Sequence, residues 1–318
     1  MPTMPGSILD IFKNLSSGSL QSSGVAAEEI FKNIPDFKNG NDEVTSECKY
    51  ILTRLMRGMA SPDLKTKTGF FSLLVTLLRL HKGITYNLVD EILESKLEIG
   101  NHDSSRERSD VISAQILVYG AIFRSGLYKK CTEKEQRSLL ESLLVLSKKK
   151  SYFLPLSFSF FLGLLSEVAD SDLFESLLWP LLKPTADEEI SKHCIESLSC
   201  LLLSRKKFLN ETSDLDLSTF LNAETLPAIA RKTAGVPSSE LQSRFLNLLA
   251  ESICQMDDTN ESLTVLWNDG FEKGMKSYFG GSDAPFLFVS NVLEGLEDHS
   301  LVIFIFFFFF FLLYFLIF

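Results

Sequence analysis

Apolar residues recur three and four positions apart through most of the chain between residues 43 and 296, and the alternation expected of strands is almost absent. The spacing predicts helices over 43–60, 62–81, 84–97, 106–126, 133–148, 152–169, 171–183, 187–204, 223–233, 238–255, 260–278 and 284–296. The breaks between them carry turn and cap chemistry. Pro184 stands where one helix should stop, Asp187 should open the next, and Ser238 or Ser239 can cap an apolar run. Helix after helix on short links predicts an all-α chain, arranged as an irregular HEAT- or armadillo-like α-solenoid of stacked helical hairpins. A compact irregular helical domain is the alternative arrangement.

One hairpin is legible in detail. On the helix over 47–60, Cys48, Ile51, Leu52, Leu55 and Met59 share one stripe, with Lys49, Arg54 and Arg57 opposite. Ser61 is the expected N-cap of the following helix, with Pro62 in its first position and Asp63 at its positive end. Phe70, Phe71, Leu74, Leu77 and Leu78 continue the buried face. Gly58 and Gly69 cost such helices about 1 kcal/mol each against alanine. That cost is understandable where two backbones approach closely or a helix must end. Arg54 and Arg57 are first read as solvated charges, and second as partners for carboxylates or for another molecule.

Composition sharpens the frame. The chain has 318 residues, 45% hydrophobic and 23% charged, an ordinary globular balance large enough for a sizeable core. The net charge of −10 argues against a chain that neutralises nucleic acid along its whole surface. Local basic runs remain, at Lys148, Lys149 and Lys150 and at Arg205, Lys206 and Lys207. Each falls at a predicted helix end, where cations complement the helix dipole. A contact with an anionic partner is the second reading. The five cysteines lack metal or disulfide spacing and suit a reducing compartment. The N-terminus has no basic-then-apolar secretory pattern, so the sequons at Asn14, Asn210 and Asn260 read as chance matches.

Three regions follow: a loose leader over 1–45, a helical-repeat domain over 46–297, and an apolar tail over 298–318 that contains six consecutive phenylalanines, Phe306 to Phe311. The tail is long enough for a membrane span but has no basic flank. Its residues are also those encoded by T-rich codons, and translated non-coding sequence is the preferred reading. Membrane contact follows only from the other.

The stretch "RLMRGMASPDLKTKTGFFSLLVTLL" resembles the N-terminal signature of the DNA polymerase V / Myb-binding protein 1A family, also called DNA polymerase phi. The resemblance is carried by Arg54, Leu55, Arg57, Gly58, Ser61, Gly69 and Phe70, with Met59 where leucine is usual. A second block, "AQILVYGAIFRSGLY", is similar through Arg124, Ser125, Gly126 and Leu127, with Ala114 where the family has glycine. The resemblance implies a nucleolar helical-repeat protein, binding transcription regulators and ribosome-biogenesis factors and acting in rRNA gene transcription. Family members continue into long acidic and basic C-terminal regions, through which any association with rDNA would run.

The polymerase in the family's name finds no support in the residues. Asp257 and Asp258 in "MDDTNES" lack a strand-turn setting and stand where helix caps belong. His193, Cys194 and Cys200 fall within one predicted helix, the two cysteines on different faces, so a shared zinc is disfavoured. "GGSDAP" lacks the lysine of a phosphate loop. No catalytic, cofactor or metal residue is nominated. Two LxxLL matches, Leu140 to Leu144 and Leu178 to Leu182, could enter a partner's groove, but core burial is the default reading of their leucines.

Overall fold

The computed structural model describes residues 43–100, 104–208, 212–217, 221–222 and 224–254, together with Phe12, Glu28 and Lys32. The described elements are helical, with no strand among them. The expected helices over 260–278 and 284–296 and the apolar tail lie outside the described residues.

Short polar side chains fix where the helices begin. Helix α1 (Ser46–Gly58) is capped by Thr45, α2 (Leu64–Leu80) by Asp63, and α3 (Tyr86–Lys96) by Thr85. Helices α4 (Ser105–Ser125) and α5 (Glu133–Ser147) open with complete capping boxes, Ser104 with Glu107 and Thr132 with Glu135. In each box the glutamate accepts the N–H of the cap residue, at 2.8 and 2.7 Å; the cap hydroxyl, foremost for Glu107, and this N–H, foremost for Glu135, hold both carboxyls below their ordinary value. Ser61, expected to cap α2, instead accepts the N–H of Asp63 at 3.2 Å. Asp63 takes the cap and accepts the Thr66 N–H at 2.7 Å, because Pro62 and Ser61 form the turn that delivers it.

The contacts divide the chain into two compact units, Met1–Phe160 and Phe161–Phe318. In the first, α1 and α2 form an antiparallel hairpin, and α2 and α4 run side by side in the same direction. Lys67 pairs with Asp110 at 2.9 Å near their starts, and Arg79 donates to the Arg124 carbonyl at 2.7 Å at their ends. Helix α3 returns the chain between them, and α5 packs on α4. The core is the expected stripe of Cys48, Ile51, Leu52, Leu55 and Met59 against Phe70, Leu74, Leu77 and Leu78. Leu73 joins it, while Phe71 is only half-buried. The unit closes within α6 (Leu154–Glu167), where the Phe160 ring lies against Gly120 of α4.

The second unit takes the remainder of α6 and a helical run of Ser171–Leu173, a widened π turn at Phe174–Leu178 and α7 (Trp179–Ala186). Then come α8 (Ile195–Lys207), α9 (Leu226–Ala234) and α10 (Ser239–Cys254). Pro184 does not stop the run as expected but lies inside α7. Its missing N–H would have bonded to residue 180, one turn back, so a single ladder bond is lost and the helix continues to Ala186. Asp187 closes α7 rather than opening the next helix. A turn at Ile190–Lys192 intervenes and Cys194 caps α8, so His193 and Cys194 precede that helix instead of lying within it. Ser238 supplies the cap of α10, its Oγ accepting the Leu241 N–H at 3.3 Å. Phe174 stacks on Phe208 at 4.0 Å and on Trp179 at 5.9 Å to centre this unit's core. Both units are built of packed helical hairpins, compatible with the helical-repeat expectation.

A polar seam crosses the first unit. The Tyr119 hydroxyl reaches Asp90 Oδ1 at 3.5 Å, and burial, followed by repulsion from Glu94, raises the Asp90 carboxyl above its ordinary value. The folded state therefore holds its proton more tightly than the unfolded chain. The penalty from Asp90 is absent at pH values below the unfolded carboxyl's pKa, accumulates as pH rises toward the folded value, and is complete above it. Asp90→Asn removes the charge, so it should stabilise the chain at pH 7 and lose that advantage near pH 3. Urea unfolding at the two pH values tests this, and an equal effect at both defeats the assignment.

Candidate functional site

The residues of the hairpin signature meet as a packing device. A methyl group on Gly58 would land inside the Phe70 ring, well within contact distance, so the close approach expected from the glycine is present. The Phe12 ring, 2% exposed, stacks on Phe70 at 6.1 Å, and the Arg54 guanidinium lies 5.6 Å over Phe12. Leu55 is fully buried, Gly69 is buried, and Arg57 is exposed in the last turn of α1.

The second signature block is a helix stop. Gly126, at φ +83°, takes the left-handed conformation that ends α4. The Ser125 hydroxyl donates to the Ile122 carbonyl at 3.1 Å and accepts the Leu127 N–H at 3.3 Å. Leu127 is buried at the start of the following turn, Leu127–Lys130. Arg124 extends outward, and its carbonyl receives Arg79.

The two basic runs differ in what surrounds them. Lys148 closes α5, and Lys148, Lys149 and Lys150 are all exposed. Lys150 Nζ lies 3.1 and 3.3 Å from the hydroxyls of Ser105 and Ser109 and 5.7 Å over the Tyr152 ring. At the end of α8, by contrast, Arg205 donates to the Thr212 carbonyl at 2.7 Å and Lys206 pairs with Glu251 at 2.6 Å. Lys207 donates to the carbonyls of Leu165, Ser166 and Val168, capping the end of α6, and loss of water lowers its pKa.

Helices α6, α8 and α10 of the second unit frame a cleft of about 250 Å³. Leu162, Leu203, Leu241 and Leu248 give it apolar walls, and Lys206, Arg244 and Glu251 stand at its margin. Of these only Lys206 was singled out by its place in the sequence. The leucines looked like any other helical core positions, and only the shallow gap between three helices separates them from it.

Candidate reactive groups are held back by burial. The Cys194 thiol is pushed up to about 11, and Cys200, fully enclosed, is raised well above its ordinary value. Burial lowers the pKa of His193, whose Nδ1 lies 3.3 Å from the Ser197 hydroxyl and whose Nε2 lies 3.2 Å from the Glu188 carbonyl. Among the described residues no three His, Cys, Asp or Glu side chains gather in a metal-holding group, and no helix is long and apolar enough to cross a membrane. Asp257, Asp258 and the "GGSDAP" turn lie outside the described residues. In the LxxLL matches, Leu140, Leu143, Leu178 and Leu182 are buried in the core, while Leu144 and Leu181 are half-buried.

Comparison with known proteins decides the family. The family model described as DNA polymerase phi matches residues 50–266, well over half of the chain and inclusive of both signature blocks. The chain belongs to the DNA polymerase phi family. It is similar to Myb-binding protein 1A of Drosophila melanogaster, 24% identical over 161 residues, covering 51% of this chain and 14% of the relative. It is also similar to a Myb-binding protein 1A-like protein of Danio rerio, 22% identical over 289 residues, covering 86% of this chain and 21% of the relative. The chain thus spans between about a seventh and about a fifth of the length of these relatives. No solved structure matches. Both relatives take their names from binding and not from catalysis.

For this polymerase phi family chain, the signature glycines Gly58 and Gly126 should differ by geometry from Gly163, which lies outside the signature. Gly126→Ala should cost about 1–2 kcal/mol, the penalty of a left-handed L-residue. Gly58→Ala should cost about 1–3 kcal/mol through overpacking against Phe70. Gly163→Ala, with open space around the added methyl group, should gain about 0.5–1 kcal/mol. Urea melts of the three variants give the order, and equal effects would refute the packing account.

Proposed function

We propose that the chain is a non-enzymatic scaffold that binds transcription regulators, and that it works in the nucleolus, in rRNA gene transcription and ribosome biogenesis. The observation that carries the reading is family membership together with relatives named for binding Myb. Protein partners of the Myb class and ribosome-biogenesis factors are the intended cargo. Any rDNA association belongs to longer family members' C-terminal regions.

The cleft between α6, α8 and α10 is the docking place we assign to the regulator. Its leucine walls suit the apolar stripe of an amphipathic helix laid along the gap. Lys206 already pairs with Glu251, whereas Arg244 stands exposed at the margin, so an incoming carboxylate complements it. The occupant is therefore an amphipathic helix with leucine-type anchors and an acidic residue beside them.

Calorimetric titration of the full chain with a purified Myb-class regulator tests both parts. Binding should occur, and Leu241→Asp or Arg244→Glu should each weaken it about tenfold or more, the loss typical of an interface hot spot. No binding by the unaltered chain removes the Myb reading, while binding indifferent to both substitutions removes the cleft. Exclusion of a fluorescently tagged chain from nucleoli would overturn the proposed location.

A further inference from the structure

The first unit carries a second surface whose parts are not explained by helix packing. Lys148, Lys149 and Lys150 lead directly into Tyr152, whose side chain is 56% exposed, an unusual position for an aromatic ring. The ring is nevertheless fixed. Its hydroxyl donates to Ser109 Oγ at 2.7 Å, Phe153 meets it at 4.5 Å with a 57° tilt, and Lys150 Nζ lies over it at 5.7 Å. Phe153 is itself buried, so the platform is anchored in the core. The first turn of α4, which supplies Ser105 and Ser109, also carries the exposed Arg106 and Arg108. Two carboxylates of α4 there are engaged: Glu107 accepts the Ser104 N–H, and Asp110 pairs with Lys67.

A rigid, half-open aromatic ring beside a run of ammonium groups matches one ligand chemistry above others. Bases stack on the ring, and phosphodiesters take the cations. An acidic peptide would use the lysines but leave the ring idle. A duplex would do the same, because its bases are already stacked and paired. We infer that Tyr152 with Lys148, Lys149 and Lys150 forms a binding platform for single-stranded nucleic acid. The ring offers its face to bases and the lysines offer charge to phosphodiesters, features that RNA and DNA single strands share, so the platform takes both. The net charge of −10 opposes non-specific polyanion binding to the chain as a whole. The platform goes beyond the regulator-binding reading and belongs to the other unit, so either can fail alone.

Fluorescence anisotropy of the full chain with labelled ten-nucleotide U and dT oligomers, at several salt concentrations, tests the inference. The two oligomers should bind with similar affinity and a blunt duplex more weakly. Tyr152→Ala should weaken single-strand binding about 5- to 100-fold, whereas Tyr152→Phe, which keeps the ring, should retain most of it. Replacing both Lys148 and Lys149 by alanine should lower the salt-dependence slope by about 1.4, at about 0.7 per phosphate contact on a single strand. Circular dichroism of each variant should match the parent. Absence of binding, duplex or poly-glutamate binding as tight as U oligomer binding, a strong preference for one sugar, or indifference to Tyr152→Ala overturns the platform.

Discussion

The first unit depends on one missing atom. Without a Cβ at residue 58, the Phe70 ring lies against the backbone of α1, and the two helices of the first hairpin come closer than side chains would allow. Phe12 then stacks on the outer side of Phe70, and Arg54 covers Phe12, so four residues form a single column. Separately, α2 aligns with α4 through one contact near each end, Lys67 to Asp110 and Arg79 to the Arg124 carbonyl. Parallel helices cannot be joined by a short turn, and α3 exists to carry the chain back between them.

Positive charge does much of the joining in this acidic protein. The last carbonyls of a helix have no partner within it, and a long cationic side chain from a neighbouring element can reach them. Arg79 does so for α4 and Lys207 for α6, while Lys232 reaches the carbonyls of Ser191 and His193 at the turn before α8. These bonds are between elements, so they set how adjacent helices align as well as where each one stops. A cation used this way is turned inward and unavailable to a ligand. Two basic runs that look alike in the sequence differ in their settings: at 205–207 the cations bond carbonyls and a carboxylate within the unit, while at 148–150 all three are exposed, with Lys150 on the hydroxyls of Ser105 and Ser109 and over the Tyr152 ring.

The sequence was most informative where local chemistry decides the outcome. The helix period, the Ser238 cap and the apolar stripe of α1 are all consequences of residues near one another, and most helix limits fell within a few positions. The failures cluster where a distant or subtle geometric term wins. Ser61 lost the cap to Asp63 because the turn places the carboxylate two residues later. Pro184 lies inside its helix two residues before its end, where the lost bond to residue 180 and the crowding of that carbonyl are borne by the last turn. The stretch at 187–194 looks periodic but contains a turn, since Asp187 serves the helix before it. The cleft was not legible at all: no local feature marks Leu241 or Arg244 apart from their neighbours, and only the gap left by α6, α8 and α10 does.

The residues that carry the family resemblance have a bearing on where function can reside. Leu55, Gly58, Gly69 and Phe70 make the hairpin pack, and Ser125, Gly126 and Leu127 stop a helix and seat the next turn. They are spent on folding, and substituting them would disturb a partner only by disturbing the unit that presents it. The surfaces proposed for recognition draw on other side chains: Arg244 and the cleft leucines in one unit, Tyr152 and the exposed lysines before it in the other. A chain can therefore keep the signature and the fold while changing what it binds, because the two sets of residues barely overlap. Arg57 and Arg124 stand apart among the signature residues, both exposed. For Arg57 this suits the first reading, a solvated charge, and charge reversal there should leave stability nearly unchanged, within about 0.5 kcal/mol, as for other surface substitutions. A larger loss in a urea melt would return Arg57 to the fold.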